Sequence, residues 1–250
     1  MGFGLWKRLL VCIPLLLGCT RYRQDVDYDH PVEYSWIEPE LSGEFSLFEG
    51  VAWQPGIVQA VHPWLIDQSK VGNQNILDLF SGPGVIAVTC AVESPKSVLS
   101  VAESEVAAAC TRYNVAAHNQ DALVTVRRVD WNAEPLLPTS DKFAGIIATL
   151  LIGDAEPDDA EPDDAEPDDK NLDRRIAILL ECVNGNLELG GWAIAVCQDQ
   201  EVADRLTAAA ISSGATIVAS GPSSSLLLVL EIKRAVAAIA PPGEAVPAQK

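Results

Sequence analysis

From Asn75 onward, short apolar runs of two kinds alternate, and that alternation leaves few architectures open to the chain. Strand-like runs fall at NILDLF, SVLSVA, LVTVRRV, FAGIIATLL, WAIAVC, ATIVAS and LLLVLEI. Runs with helical spacing, GVIAVTCAV, SEVAAACTRYNVAAHN, LDRRIAILLECV and QEVADRLTAAAIS, separate most of them. Strand–helix–strand order implies right-handed crossovers and a mainly parallel sheet covered on both faces. The last two strand-like runs are joined only by GPSSS. That is too short for a parallel crossover, so the final strand is expected to run antiparallel to its neighbour. The expected fold is α/β, a seven-stranded sheet, mainly parallel, with an antiparallel last strand. Upstream, VEYSW and EFSLF suit a hairpin or extended arm, and VAWQPGIVQAVHPWLIDQ reads as a helix with Pro55 near its start.

These patterns divide the chain into a hydrophobic segment and arm over 1–50, a domain over 51–235 and a tail over 236–250. The tail, with APPGEAVPAQK at its end, is expected to be disordered. The domain is interrupted by three copies of DAEPD, an acidic run from Asp154 to Asp169. A proline every five residues and dense like charge predict a solvated loop there. Its carboxylates either attract a basic substrate or are a passenger repeat. The net charge is −18, or −18 + 10 = −8 without that run. No Lys/Arg stripe is present to steer a nucleic acid, so DNA is not an expected partner and a basic protein is the better fit.

The six cysteines, at positions 12, 19, 90, 110, 182 and 197, have neither Cys-x-x-Cys spacing nor histidines arranged for zinc, and read as buried thiols. Residues 9–19, LLVCIPLLLGC, follow Lys7 and Arg8 and have the character of a secretory h-region, with Leu16-Leu17-Gly18-Cys19 resembling a lipoprotein cleavage site. The run is short of the roughly 20 residues a bilayer span takes. Membrane contact through it is the less favoured reading, and the expected location is cytoplasmic.

The first strand-like run breaks at Ser81-Gly82-Pro83-Gly84 and resumes as a helix, giving strand, glycine turn, helix. GPGVIA satisfies Gly-x-Gly-x-x-Ala, so a dinucleotide site is formally allowed. Asp78, four residues before Gly82, argues against one, because a carboxylate there would crowd a pyrophosphate bound at the helix N-terminus. A cationic ligand without phosphates would welcome it. On this reading the glycines let the backbone approach the ligand with no Cβ in the way.

ILDLFSGPGVIAV looks like the first motif of class I S-adenosylmethionine-dependent methyltransferases, and the closing antiparallel strand is similar to that family's Rossmann-like seven-stranded sheet. AWQPGIVQAVHPWL before it, RRVDWNAE after the third strand and FAGIIATLLI in the fourth together resemble methyltransferase family 16, the protein-lysine methyltransferases. The resemblance covers about residues 51 to 235. It implies S-adenosyl-L-methionine as cofactor and a protein substrate. It places Trp53 and the turn residues Phe80, Ser81, Gly82 and Gly84 beside the cofactor, and the Asp78 carboxylate is expected to bind the cationic cofactor as well. Asp130 and Trp131 fall near the adenine, and Ala148 precedes the family's fourth-strand acid.

Three positions depart from that pattern. The second strand is expected to end in an acid that holds the ribose hydroxyls, but the register set by Asn114 puts Ala102 there; Glu103, one residue late, is expected to reach the cofactor through a shift in the loop. Leu150 and Gly153 stand where the family has Asp and Tyr to orient the incoming amine. Asp154 is the acid nearest Leu150. Methyl transfer is an in-line displacement that depends on proximity and alignment, so no Ser/His/Asp or metal constellation is required. Two other readings stay open: a methyltransferase acting on RNA or a small molecule, and a pseudo-methyltransferase that binds without transferring. Against the RNA reading, Asn/Asp-Pro-Pro-Tyr is absent after the fourth strand.

Overall fold

The computed structural model describes residues 29–67, 70–129, 136–151, 168–220 and 228–233. The hydrophobic run 9–19, Asp130, Trp131, Gly153, most of the acidic run and the tail lie outside the described residues.

The chain opens with an antiparallel hairpin, β1 (Val32–Ile37) and β2 (Glu44–Phe48), followed by α1 (Ile57–Asp67). Then come β3 (Asn75–Leu79), α2 (Val85–Val92), β4 (Ser97–Ala102), α3 (Glu105–Ala117), β5 (Val124–Arg128) and β6 (Phe143–Leu150). The last elements are α4 (Asp168–Gly185), β7 (Leu187–Cys197), α5 (Gln200–Ser212), β8 (Thr216–Ser220) and β9 (Leu228–Lys233).

Seven strands form one sheet in the order β5-β4-β3-β6-β7-β9-β8. Pairing is parallel from β5 to β7, and β9 inserts antiparallel between β7 and β8. The α/β class, the seven strands and the antiparallel last strand are as the sequence pattern implies. Strand alternation sends Ile76, Val98 and Ile147 into an apolar layer with α1 and α2, and Leu77, Val101 and Ile146 into a second layer with α4. α2 is buried from Val85 to Ala91, which explains why its sequence is apolar all round rather than amphipathic.

Two elements are longer than their sequence runs. β7 starts at Leu187, not Trp192, because Leu187 pairs with Phe143 across a register shift; Gly190 and Gly191 disguise the strand in the sequence. α4 starts at Asp168, inside the acidic run, four residues before the Leu172 at which the sequence pattern begins the helix.

The hairpin is fastened to α3. The Asn114 amide donates to the Ser46 carbonyl (2.7 Å) and accepts from the Ser46 N–H (2.8 Å), and the Cys110 thiol donates to the same carbonyl (3.3 Å). Cys90, Cys110, Cys182 and Cys197 are all buried and free, as expected of them. Burial pushes the Cys110, Cys182 and Cys197 thiols up to about 12. No helix among the described residues is long and apolar enough to cross a membrane.

Candidate active site

In an open α/β sheet the ligand crevice lies outside the carboxyl ends of the strands, where the strand order reverses. Here the chain runs outward from β3 to β4 and β5, then returns to β6 on the other side of β3. The reversal falls between β3 and β6, and the glycine turn sits at its mouth.

The turn is held from three sides. The Thr149 hydroxyl in β6 donates to the Phe80 carbonyl (2.7 Å), and the Ser81 N–H donates to the Val101 carbonyl in β4 (3.1 Å). From α3, the Thr111 hydroxyl donates to the Gly82 carbonyl (2.9 Å) and lies 3.1 Å from the Ser81 hydroxyl, while the Asn114 amide donates to the Pro83 carbonyl (2.8 Å). Thr111 and Asn114 are three residues apart and so share one helix face. Asn114 therefore ties the turn, α3 and the hairpin together through one side chain. Neither Thr111 nor Thr149 carries a sequence signal that marks it as a turn brace.

The backbone needs glycine here, chiefly to make room for protein. Gly82 has φ +51°, and a Cβ on it would come 2.9 Å from the Ala52 carbonyl oxygen. Gly84 has φ +79°, and its Cβ would lie 2.7 Å from the Thr111 methyl. The sequence-based account, in which both glycines clear a path for the ligand, is corrected at these two atoms: Ala52 and α3 take the space. Phe80 also has φ +62°, a left-handed conformation in a residue with a large side chain. Such residues cost of order 1–3 kcal/mol and persist only when their surroundings over-determine them. The Thr149 bond and the burial of the Phe80 ring beside the α4 layer supply that constraint.

Asp78 is completely buried, on the α2 side of β3. Oδ2 accepts from the Ser100 hydroxyl (2.8 Å), and Oδ1 has no hydrogen-bond partner. Burial raises its pKa to about 7, with the Ser100 bond opposing the shift. Asp78 has no exposed surface, so its carboxylate does not line the crevice, contrary to the expectation that it meets a cationic ligand. Gly82 is half-buried, whereas Phe80, Ser81, Pro83 and Gly84 are buried.

Trp53 is half-buried one residue from the Ala52 that covers Gly82, with its ring 5.8 Å from Trp36. Ala148 and Leu150, in β6, are fully buried. Ala102 ends β4 and packs on α3, and Glu103 is the first acid past the strand end. Glu103 is paired with Arg175 of α4, Oε1 to Nη2 at 2.7 Å. The same guanidinium donates to the Leu151 carbonyl beyond β6 and lies over the Phe80 ring, 5.8 Å from its centroid. Arg175 is the residue that sequence reasoning missed. Nothing in Leu172-Asp173-Arg174-Arg175 distinguishes it from an exposed helix arginine. Among the described residues no His/Cys/Asp/Glu group could hold a metal.

The same sheet is found in solved methyltransferases. A ribosomal protein L11 methylase from Lactobacillus delbrueckii subsp. bulgaricus is 16% identical with a TM-score of 0.54, over 76% of this chain and 84% of that one. A precorrin-6y C5,15-methyltransferase from Geobacter metallireducens GS-15 is 10% identical with a TM-score of 0.53, over 77% and 94%. A methyltransferase complexed with SAH, SMU.776, is 17% identical with a TM-score of 0.52, over 76% of this chain and 53% of that one. At such identities the likeness is one of fold. No curated protein matches the sequence significantly. Residues 43–152, from the hairpin to just past β6, match the family model described as lysine methyltransferase.

Sheet order and the solved neighbours define the class by fold, that of class I methyltransferases, and residues 43–152 add a match to the lysine methyltransferase model. Within that class the chain resembles methyltransferase family 16, on the 43–152 segment that carries the glycine turn.

Proposed function

We propose that this protein methylates a lysine side chain of a basic protein substrate in the cytoplasm. The observation that carries the reading is the match of residues 43–152 to a lysine methyltransferase family, a segment that contains the turn, its Asn114 brace and Glu103. Fold neighbours act on other substrate types by name, so the lysine assignment rests on that match and on the acidic character of the chain.

Phe80, Ser81, Gly82 and Gly84 are the proposed backbone wall of the cofactor site, with Trp53 closing one side and the buried Ala148 of β6 packed behind the wall. Glu103 is the proposed acceptor for the ribose hydroxyls, and Asp130 and Trp131 the proposed adenine contacts. The residues present fit the group: the half-buried Gly82 and the Glu103 carboxylate both lie at the crevice rim. S-adenosylmethionine, when bound, supplies an activated methyl on a sulfonium. The work left to the chain is to align a neutral lysine amine in line with the breaking carbon–sulfur bond and to exclude water. The amine's proton must leave to solvent or to a carboxylate near Leu150.

A second reading, cofactor binding without transfer, is favoured by Leu150, an aliphatic side chain fully buried where the resembled family has an acid. One experiment separates the two. S-adenosylhomocysteine should raise the melting temperature and NAD should not, since a ligand present at about a hundredfold over its Kd stabilises by about 2.7 kcal/mol. The purified protein is then incubated with tritiated-methyl cofactor and cell extract, and protein and RNA fractions are separated. Label recovered as methyllysine supports the proposal. Binding without label supports the second reading, and label in RNA overturns the lysine assignment.

A further inference from the structure

One guanidinium spans the entire crevice. Arg175 reaches from the first turns of α4 to the Leu151 carbonyl at the end of β6, passes over the Phe80 ring at the end of β3, and ends on Glu103 at the end of β4. β6 and β3 flank the reversal of order and β4 is the next strand beyond β3, so the side chain runs across the strand ends where the crevice opens. The Arg175 and Glu103 side chains are only 16% and 27% exposed, so the pair is partly shielded from water. Each end of the fork is occupied, by a carboxylate oxygen at 2.7 Å and by a carbonyl.

We propose that Arg175 is an autoinhibitory latch on the cofactor crevice: it occupies Glu103 in the free protein, and ligand entry exchanges the Arg175–Glu103 pair for contact between Glu103 and the ribose hydroxyls. The inference rests on the cofactor reading above. Glu103 Oε1 is engaged by the guanidinium and so is withdrawn from a ribose diol, and the cation lies over the Phe80 ring beside the turn. Opening the latch therefore subtracts from the affinity that the crevice would otherwise have.

The test measures calorimetric Kd values for S-adenosylhomocysteine and for 5′-methylthioadenosine, which keeps the ribose and lacks the amino-acid group. Arg175→Ala should bind both ligands about three- to tenfold more tightly than the parent, the factor expected from releasing one charge-assisted hydrogen bond. Unchanged affinity for both overturns the latch. Weaker binding of S-adenosylhomocysteine with unchanged 5′-methylthioadenosine also overturns it, because Arg175 would then be an anchor for the ligand carboxylate. Should Arg175→Ala not fold, Arg175→Lys carries the test. A lysine keeps the charge but lacks the planar fork that bridges two acceptors, and a gain of about twofold is expected. If neither parent nor variants bind S-adenosylhomocysteine, the cofactor reading itself fails and takes the latch with it. A parent that binds, with variants that gain nothing, refutes the latch alone.

Discussion

Replacing Asp78 with asparagine should remove a specific pH dependence from the stability of the protein. The carboxyl has no exposed surface, one hydrogen bond from Ser100 and one oxygen without a partner, and burial lifts its pKa from 3.8 to about 7. In the unfolded chain the group is ionised above about pH 4, while in the fold it holds its proton until about pH 7. Between these values folding takes up a proton, so this group's contribution to stability is complete below the unfolded pKa. It is lost as pH rises, at about 1.4 kcal/mol per pH unit, and levels off above the folded pKa. Across the whole window that amounts to about 4 kcal/mol; from about pH 5 to about pH 8 it is about 2.7 kcal/mol. Asparagine resembles the protonated carboxyl in shape, can accept from Ser100 and does not titrate. Urea unfolding of parent and Asp78→Asn at several pH values isolates the effect, because every other titrating group is common to both proteins. The variant should gain on the parent by about 2–3 kcal/mol between about pH 5 and about pH 8. Parallel profiles, constant to within about 0.5 kcal/mol, would refute the claim that Asp78 is buried and protonated near neutrality.

Asn114→Ala should cost about 3 kcal/mol in denaturant unfolding, since it removes three hydrogen bonds that join hairpin, α3 and turn and leaves the Ser46 N–H buried without its partner. A loss under about 1 kcal/mol would show that the hairpin is not held through this side chain. Gly84→Ala should destabilise by about 2 kcal/mol or more, because the new methyl meets Thr111 at 2.7 Å and the backbone is left-handed. The companion Thr111→Ser, which keeps the hydroxyl and removes the methyl, should recover part of that loss in the double variant. If the acidic run concentrates a basic substrate, deleting residues 154–167 should lower kcat/KM at about 0.1 M salt and leave it unchanged at about 1 M, where screening shortens from about 10 Å to about 3 Å. Equal salt slopes in the two proteins would make the run a passenger.

The order of elements, the antiparallel closure by β9 and the glycine turn after β3 are all legible in the sequence, because each depends on residues close together in the chain. Side-chain period separates strands from helices, the short GPSSS link forbids a parallel crossover, and the left-handed turn at Gly82 and Gly84 is open to few residues but glycine. The LELGG start of β7 is not legible, since its glycines hide a strand that only pairing with β6 defines. The site is legible only in part. Trp53, the turn and Glu103 can be named from spacing, but what they do depends on partners far away in the chain. Asp78 is an ordinary strand residue until the sheet and α2 close around it and remove its water. Arg175 is an ordinary helix arginine until α4 packs against the sheet and brings it onto Glu103, 72 residues distant. Local pattern fixes backbone geometry because that geometry is decided by near neighbours. Burial, charge pairing and the left-handed strain at Phe80 are set by contacts between distant segments, which exist only after the chain has folded.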